Sequence, residues 1–217
     1  KKDKENIKKV YLTFDDGPSK NTPKILDILK KYNVKATFFV IGKTDDFSKE
    51  MYQRIVEEGH TIGMHSYTHK YDEIYHSLDN FKEDFYQIRN LIYETTNYLP
   101  TTYRFPGGSG NHVSELDMSV FIKFLNDESI TYYDWNVSNG DATGNELSSK
   151  EAYQNVMEGV ETFNNSFVLM HDAQAKDSTV DSLSHIIEDL LEKEVAILPL
   201  TDDIKPVQQV RFDEINE

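Results

Sequence analysis

The chain contains no cysteine. That single absence excludes disulfide scaffolds, thiolate metal sites and thiol nucleophiles. It leaves the compartment open, since cytosolic and secreted proteins can both do without the residue. Positive charge is scarce: 23 Lys and Arg face 38 Asp and Glu, a formal net charge of -15. A nucleic acid is therefore not the expected partner, because such a surface offers no net positive field to displace counterions from phosphates. Long apolar runs are missing too. The longest is a short stretch around Phe38–Ile41, far below the ~18 residues that mark a membrane span. Mean hydropathy is -0.61, as expected of a soluble protein.

What is present speaks for a folded enzyme-sized unit. Aromatic residues make up 12 % of the chain, with 13 Tyr, too many for a disordered segment. At 217 residues the chain can bury one sizeable core, and it lies inside the range of single α/β barrels. Lys1–Lys9 is charged and has no apolar signal core. It reads as a linker stub, with the expectation that an export or anchoring segment is missing from the sequence. Residues 10–201 form the expected domain, and residues 202–217 a polar tail.

Strand-like and helix-like patterns alternate throughout. Strands are expected at Val10–Phe14, Ala36–Ile41, Thr61–Met64, Tyr103–Phe105, Ile130–Trp135, Phe167–Met170 and Val195–Leu200. Helices are expected from Thr22 behind Pro23, through Met51–Val56 up to Gly59, along Phe81–Ile92, from Ser114 with Asp117 to Phe124, and over Ser149–Phe163 and Val180–Glu192. Such alternation implies parallel strands joined by right-handed crossovers, in an open sheet or a closed barrel. The unusual polar residues fall just after strand ends: Asp15 and Asp16, His65 and His69, Arg104, Asp134 and Trp135, His171 and Asp172. That edge of a parallel α/β fold is where sites are built.

Each cluster has a bland and a chemical reading. Asp15-Asp16-Gly17-Pro18 can be a solvated turn, or two carboxylates that need a cation nearby. His65 and His69 are four apart; they can be unrelated surface rings, or lie on one face of a helical turn within reach of one ion. Two His and one carboxylate form a catalytic zinc set that leaves a position for water. Asp16 is the natural third ligand, leaving Asp15 free to accept a proton. Arg104 can orient a carboxylate, and Gly107 lets a backbone N–H approach an oxyanion. His171, given a carboxylate from another strand, can be held protonated as a general acid. Gly107-Gly108-Ser109-Gly110-Asn111 narrowly misses the serine-hydrolase elbow, so a serine nucleophile is set aside. Trp135, the only Trp, can be core or a sugar platform. His60, His76, His112 and His185 lack comparable surroundings.

The ordered set TFDDGP, HSYTH, RFPGG, YYDW and LMHD resembles the polysaccharide deacetylases of the NodB homology domain, carbohydrate esterase family 4, from about Val10 to about Leu200. The look is nearest to peptidoglycan N-acetylglucosamine deacetylases. The resemblance implies a distorted (β/α) barrel of about seven parallel strands. It implies a metal-dependent deacetylase acting on a polysaccharide such as peptidoglycan or chitin, outside the cell or in its envelope, and working as a monomer. Carried over by motif, Asp15 is the base, held by Arg104. Asp16, His65 and His69 bind Zn2+, or Co2+ or a similar ion. His171 is the acid, tuned by Asp134. Pro106, Gly107, Trp135 and Leu169 contact substrate, the Gly107 N–H at the oxyanion. Two departures stand out: Gly107 replaces an aromatic residue common in the third motif, and Thr131 stands where an Asp often precedes the Trp. The alternatives are an O-acetyl esterase on xylan or another glycan, or an inactive carbohydrate-binding relative, which would have lost the base, a ligand or the acid.

Overall fold

The computed structural model describes residues 7–211. The expected stub therefore lies outside the described residues from Lys1 to Asn6, and the tail from Phe212 onward. The described part runs β1 (Lys9–Asp15), α1 (Thr22–Lys31), β2 (Thr37–Ile41), α2 (Asp46–Glu57), β3 (Thr61–Ser66), α3 (Tyr71–Ile74), α4 (Leu78–Thr96), β4 (Thr102–Tyr103), α5 (Ser119–Asp127), β5 (Thr131–Tyr132), β6 (Val137–Ser138), α6 (Ser149–Thr162), β7 (Asn165–His171), α7 (Asp177–Glu192) and β8 (Ala196–Ile197).

All pairings are parallel. The strand order is β5-β4-β3-β2-β1-β7-β6, with β8 added on β1. This is the expected distorted barrel: seven strands form one curled path, and β8 pairs with Lys9 and Val10 at the start of β1. β1 is central, and every residue after Lys9 is buried. That matches its Val10-Tyr11-Leu12-Thr13-Phe14 run, which shows no apolar–polar alternation, as expected of a parallel strand covered on both faces.

The helices cover the sheet through stripes at helical spacing. α4 buries Phe81, Phe85, Ile88 and Ile92, is capped by Ser77, and closes at Asn97 with φ 62. Phe81 lies at the centre of an aromatic cluster with Phe105 and Phe121, centroids 5.8 and 4.8 Å away. α1 starts behind Pro23 and buries Ile25, Leu26 and Leu29.

Local expectations fail at α5 and β5, and the elements α3 and β6 are not among the expected ones. α5 begins at Ser119 rather than Ser114. The Asn111 side chain instead accepts the N–H groups of Val113 and Ser114, which fixes a turn there, and Asp117 accepts from Ser119. β5 stops at Tyr132, because the Asp134 N–H leaves the ladder for the Val207 carbonyl, 2.7 Å away. The two short elements α3 and β6 leave no periodic signal long enough to read.

Register sets up the rim. Asp15 pairs with His171 across β1 and β7, and with Phe39 on β2. Met64 pairs with Tyr103, so His65 and Arg104 leave neighbouring strands side by side. Residues far apart in sequence thus arrive at one edge.

Candidate active site

Arg104 is the keystone of the rim. It is wholly buried, and an unpaired guanidinium there would be very costly. Its Nη1 donates to Thr13 Oγ1 at 2.6 Å and Asp15 Oδ1 at 3.0 Å. Its Nε donates to the Tyr133 carbonyl and its Nη2 to the Asp134 carbonyl, at 3.0 and 2.9 Å. The guanidinium also lies 4.4 Å from the centre of the Phe39 ring and 5.6 Å from that of Trp135. The expected pairing of Arg104 with Asp15 is therefore present. Trp135, half-buried, is the outer wall of this stack.

Beside Asp15, the backbone turns at Asp16 with φ 78, a conformation costly for a residue other than glycine. The turn brings Asp16 Oδ1 within 3.3 Å of His65 Nε2 and 3.2 Å of His69 Nε2. His65 Nδ1 lies 2.7 Å from the Arg104 carbonyl, which can only accept. Nδ1 therefore carries the proton and Nε2 presents a lone pair. Asp16 Oδ1 is buried and has no well-aligned hydrogen bond. Three acceptor atoms thus converge on one point, within 4.8 Å of one another. A divalent cation fits there: one carboxylate, two imidazoles, and a carbonyl behind the first imidazole to fix its tautomer. Burial alone would raise the Asp16 carboxyl; with both imidazoles protonated their charge outweighs burial and holds it well below the usual carboxylate range, and with both neutral that compensation has to come from a cation.

The two histidines do not reach this point from a helical turn, as their spacing suggests. His65 is the fifth residue of β3, and His69 follows a turn, at φ 56. That turn is held by Asp84 of α4, a residue sequence reasoning missed. Its buried carboxylate accepts from Ser66 Oγ at 2.9 Å and from the N–H groups of Tyr67 and Thr68. Ser66 Oγ in turn accepts the His69 N–H at 2.9 Å. A lone Asp inside an amphipathic helix gives no local sign of this role.

His171 ends β7 on the other side, its Nε2 4.0 Å from Asp16 Oδ2. Its expected partner, Asp134, is not there. Asp141 is: its Oδ1 is 2.7 Å from His171 Nδ1, and its Oδ2 accepts the His171 N–H at 2.7 Å and Thr179 Oγ1 at 2.7 Å. Burial would lower the His171 pKa, but Asp141, with Asp15 and Asp16, outweighs it and raises it to about 9. Asp134 is fully buried elsewhere and accepts from the Ser109 N–H, Ser109 Oγ and the Gln209 N–H. It staples the Gly107–Gly110 loop to the segment after Asp202. The physical reason is reach. Asp134 leaves the sheet toward β4 and Val207, while β6 carries the chain on to β7 and delivers Asp141. The available signal was a carboxylate just beyond a strand end, masked because that strand has two residues.

The remaining candidates are on the same rim. Pro106 is buried, and its carbonyl accepts from Tyr75 at 2.7 Å. Gly107 is exposed, with φ 79. Leu169 lies two residues before His171 on β7, hence on the same face. Ser109 is buried and bonded to Asp134 and Val210, so it is no nucleophile.

The family model for polysaccharide deacetylase matches residues 2–119. The chain belongs to the polysaccharide deacetylase family. The structure of the catalytic domain of peptidoglycan N-acetylglucosamine deacetylase from Eubacterium rectale ATCC 33656 superposes with a TM-score of 0.89. The two are 40 % identical, over 95 % of this chain and 94 % of that one. YheN of Bacillus subtilis (strain 168) is 32 % identical over 95 % of this chain and 72 % of its own length. The peptidoglycan-N-acetylglucosamine deacetylase PgdA of Listeria monocytogenes serotype 1/2a (strain 10403S) is 32 % identical over 81 % of this chain. The deacetylase-family chain spans only 36 % of that protein's length.

Proposed function

We propose that this deacetylase removes the acetyl group from N-acetylglucosamine in peptidoglycan, with zinc held by Asp16, His65 and His69. The observation that carries the reading is the convergence of Asp16 Oδ1 with two imidazole nitrogens, with the Asp15 carboxylate adjacent at 3.8 Å from His65 Nε2. A zinc ion there would supply Lewis-acid polarisation of the acetyl carbonyl and a lowered pKa for water. Asp15, aligned by Arg104, accepts the proton of the attacking water. The Gly107 N–H donates to the oxyanion. His171, kept protonated at neutral pH by Asp141, donates to the departing amine. Leu169 and Trp135 border the acetyl group and the sugar. An amine is a poor leaving group unless protonated, so a His with a raised pKa suits amide cleavage. The wall polymer lies outside the membrane, so the reading carries an extracellular or cell-envelope location. Nothing in it calls for a second protein, and we take the enzyme to act as a monomer.

The test is acetate release from N-acetylglucosamine oligomers and from purified peptidoglycan, using metal-depleted and zinc-reconstituted protein, with mass analysis of the muropeptides. Zinc-dependent release with a matching mass loss on glucosamine is expected. Undiminished release after full metal removal would reject the assignment.

A further inference from the structure

Tyr71 opens α3 two residues beyond His69. Its ring stands edge-on to the His69 imidazole, centroids 5.5 Å apart at 88°. A Cβ built on Gly107 would meet Tyr71 Cε1 at 3.1 Å and its hydroxyl at 3.4 Å. Tyr71 and Gly107 are thus matched. The backbone at φ 79 disfavours any side chain at 107, and the ring occupies the space beside it. Trp135 flanks the next glycine: its Cη2 would lie 3.0 Å from a Cβ on Gly108. The two aromatic residues therefore bracket the Gly107-Gly108 turn.

The hydroxyls of this region are used differently. Tyr75, packed against Tyr71 with centroids 6.1 Å apart, spends its hydroxyl on the Pro106 carbonyl. Tyr133 donates to Thr201. The Tyr71 hydroxyl has no protein hydrogen-bond partner among the described residues, and its ring is half-buried at the rim. An apolar ring with a free polar tip suits a ligand that offers both C–H faces and hydroxyls.

We propose that Tyr71 is a substrate-contacting residue that sets glycan affinity. Its ring walls the cleft beside His69 in the space left by Gly107, and its hydroxyl bonds the sugar bearing the acetamido group. The proposal rests on the deacetylase reading above.

Its test is steady-state kinetics of the zinc-loaded parent, Tyr71→Phe and Tyr71→Ala on N-acetylglucosamine tetramer and on p-nitrophenyl acetate, an ester with no sugar. One hydrogen bond corresponds to about a 2–10-fold change in affinity. Tyr71→Phe should raise KM for the tetramer by about that factor, with kcat within about twofold, and Tyr71→Ala should raise it further. In both variants kcat/KM should fall several times more for the tetramer than for the ester. Unchanged KM in both variants overturns the proposal. Equal losses on the two substrates, or loss of the zinc-dependent rise in Tm, also overturn it, because Tyr71 would then merely brace His69. A parent that cleaves the ester but no N-acetylated glycan sinks the deacetylase reading itself. A parent active on the tetramer with variants indistinguishable from it sinks only Tyr71.

Discussion

The two sides of the rim solve opposite problems. On the β1–β3 side, Asp16 Oδ1 lies 3.2–3.3 Å from the Nε2 atoms of His65 and His69, and the His65 proton is committed to the Arg104 carbonyl. On the β6–β7 side three donors share one acceptor: His171 Nδ1 and N–H, and Thr179 Oγ1, all point at Asp141, which leaves only the His171 Nε2 for the cleft. The first side calls for a cation, and the second has its histidine already oriented by a carboxylate. The contrast separates a metal-binding half from a proton-donating half, and each should fail in its own way.

The largest effect is expected where the first half is dismantled. Asp16→Ala should lower kcat/KM by about 10³-fold or more, consistent with the several kcal/mol a bound ion supplies. It should also abolish the rise in Tm on adding zinc. In the parent, zinc at about 100 times its Kd stabilises by ~2.7 kcal/mol, a shift of roughly 5–10 °C for a domain this size. A zinc-dependent shift surviving in Asp16→Ala would break the comparison.

Asp141→Asn should leave that shift intact and strike the other half. A general acid contributes about 10²–10⁴-fold, so kcat should fall by roughly 10²-fold. The basic limb of the pH–rate profile, set by His171, whose pKa the Asp141 hydrogen bond and charge raise, should move down toward the ordinary histidine value. A limb that stays in place would refute the pairing.

Asp134→Ala is the control that sharpens the distinction. It strips the acceptor from three donors in the buried staple and should cost about 2–4 kcal/mol of stability, read by denaturant unfolding. It should shift the basic limb far less than Asp141→Asn does.

The smallest effect is on stability against pH. The folded pKa of His171 is raised above its unfolded value. Its contribution is therefore full below the unfolded value near 6.5 and is lost as pH rises through about 9. Unfolding of the metal-depleted protein between pH 6 and 10 should show this decline, and Asp141→Asn should flatten it.

How much could be read in advance differs between the halves for the same reason. The β1 motif and the two histidines stand at or just beyond strands long enough to recognise, and Arg104, although it follows a two-residue strand, is marked by the Pro106-Gly107-Gly108 turn behind it. The missed residues Asp84 and Asp141 lie on a helix and after a two-residue strand. There, neither periodicity nor spacing distinguishes an anchoring carboxylate from a solvated one.

By itself, the order of amino acids determined the alternation of strands and helices, the parallel sheet that follows from it, and the residue types able to hold an ion and move a proton. Burial pattern and short-range turn chemistry are local properties, so they are written locally. Only the tertiary structure decided which carboxylate faces which imidazole. Asp134 and Asp141 are the same side chain a few residues apart, and the register of β6 on β7, with the path of the Val207–Val210 segment, sent one to a staple and the other to His171. Partners separated by tens of residues are chosen by strand pairing and packing, which no single stretch of sequence contains.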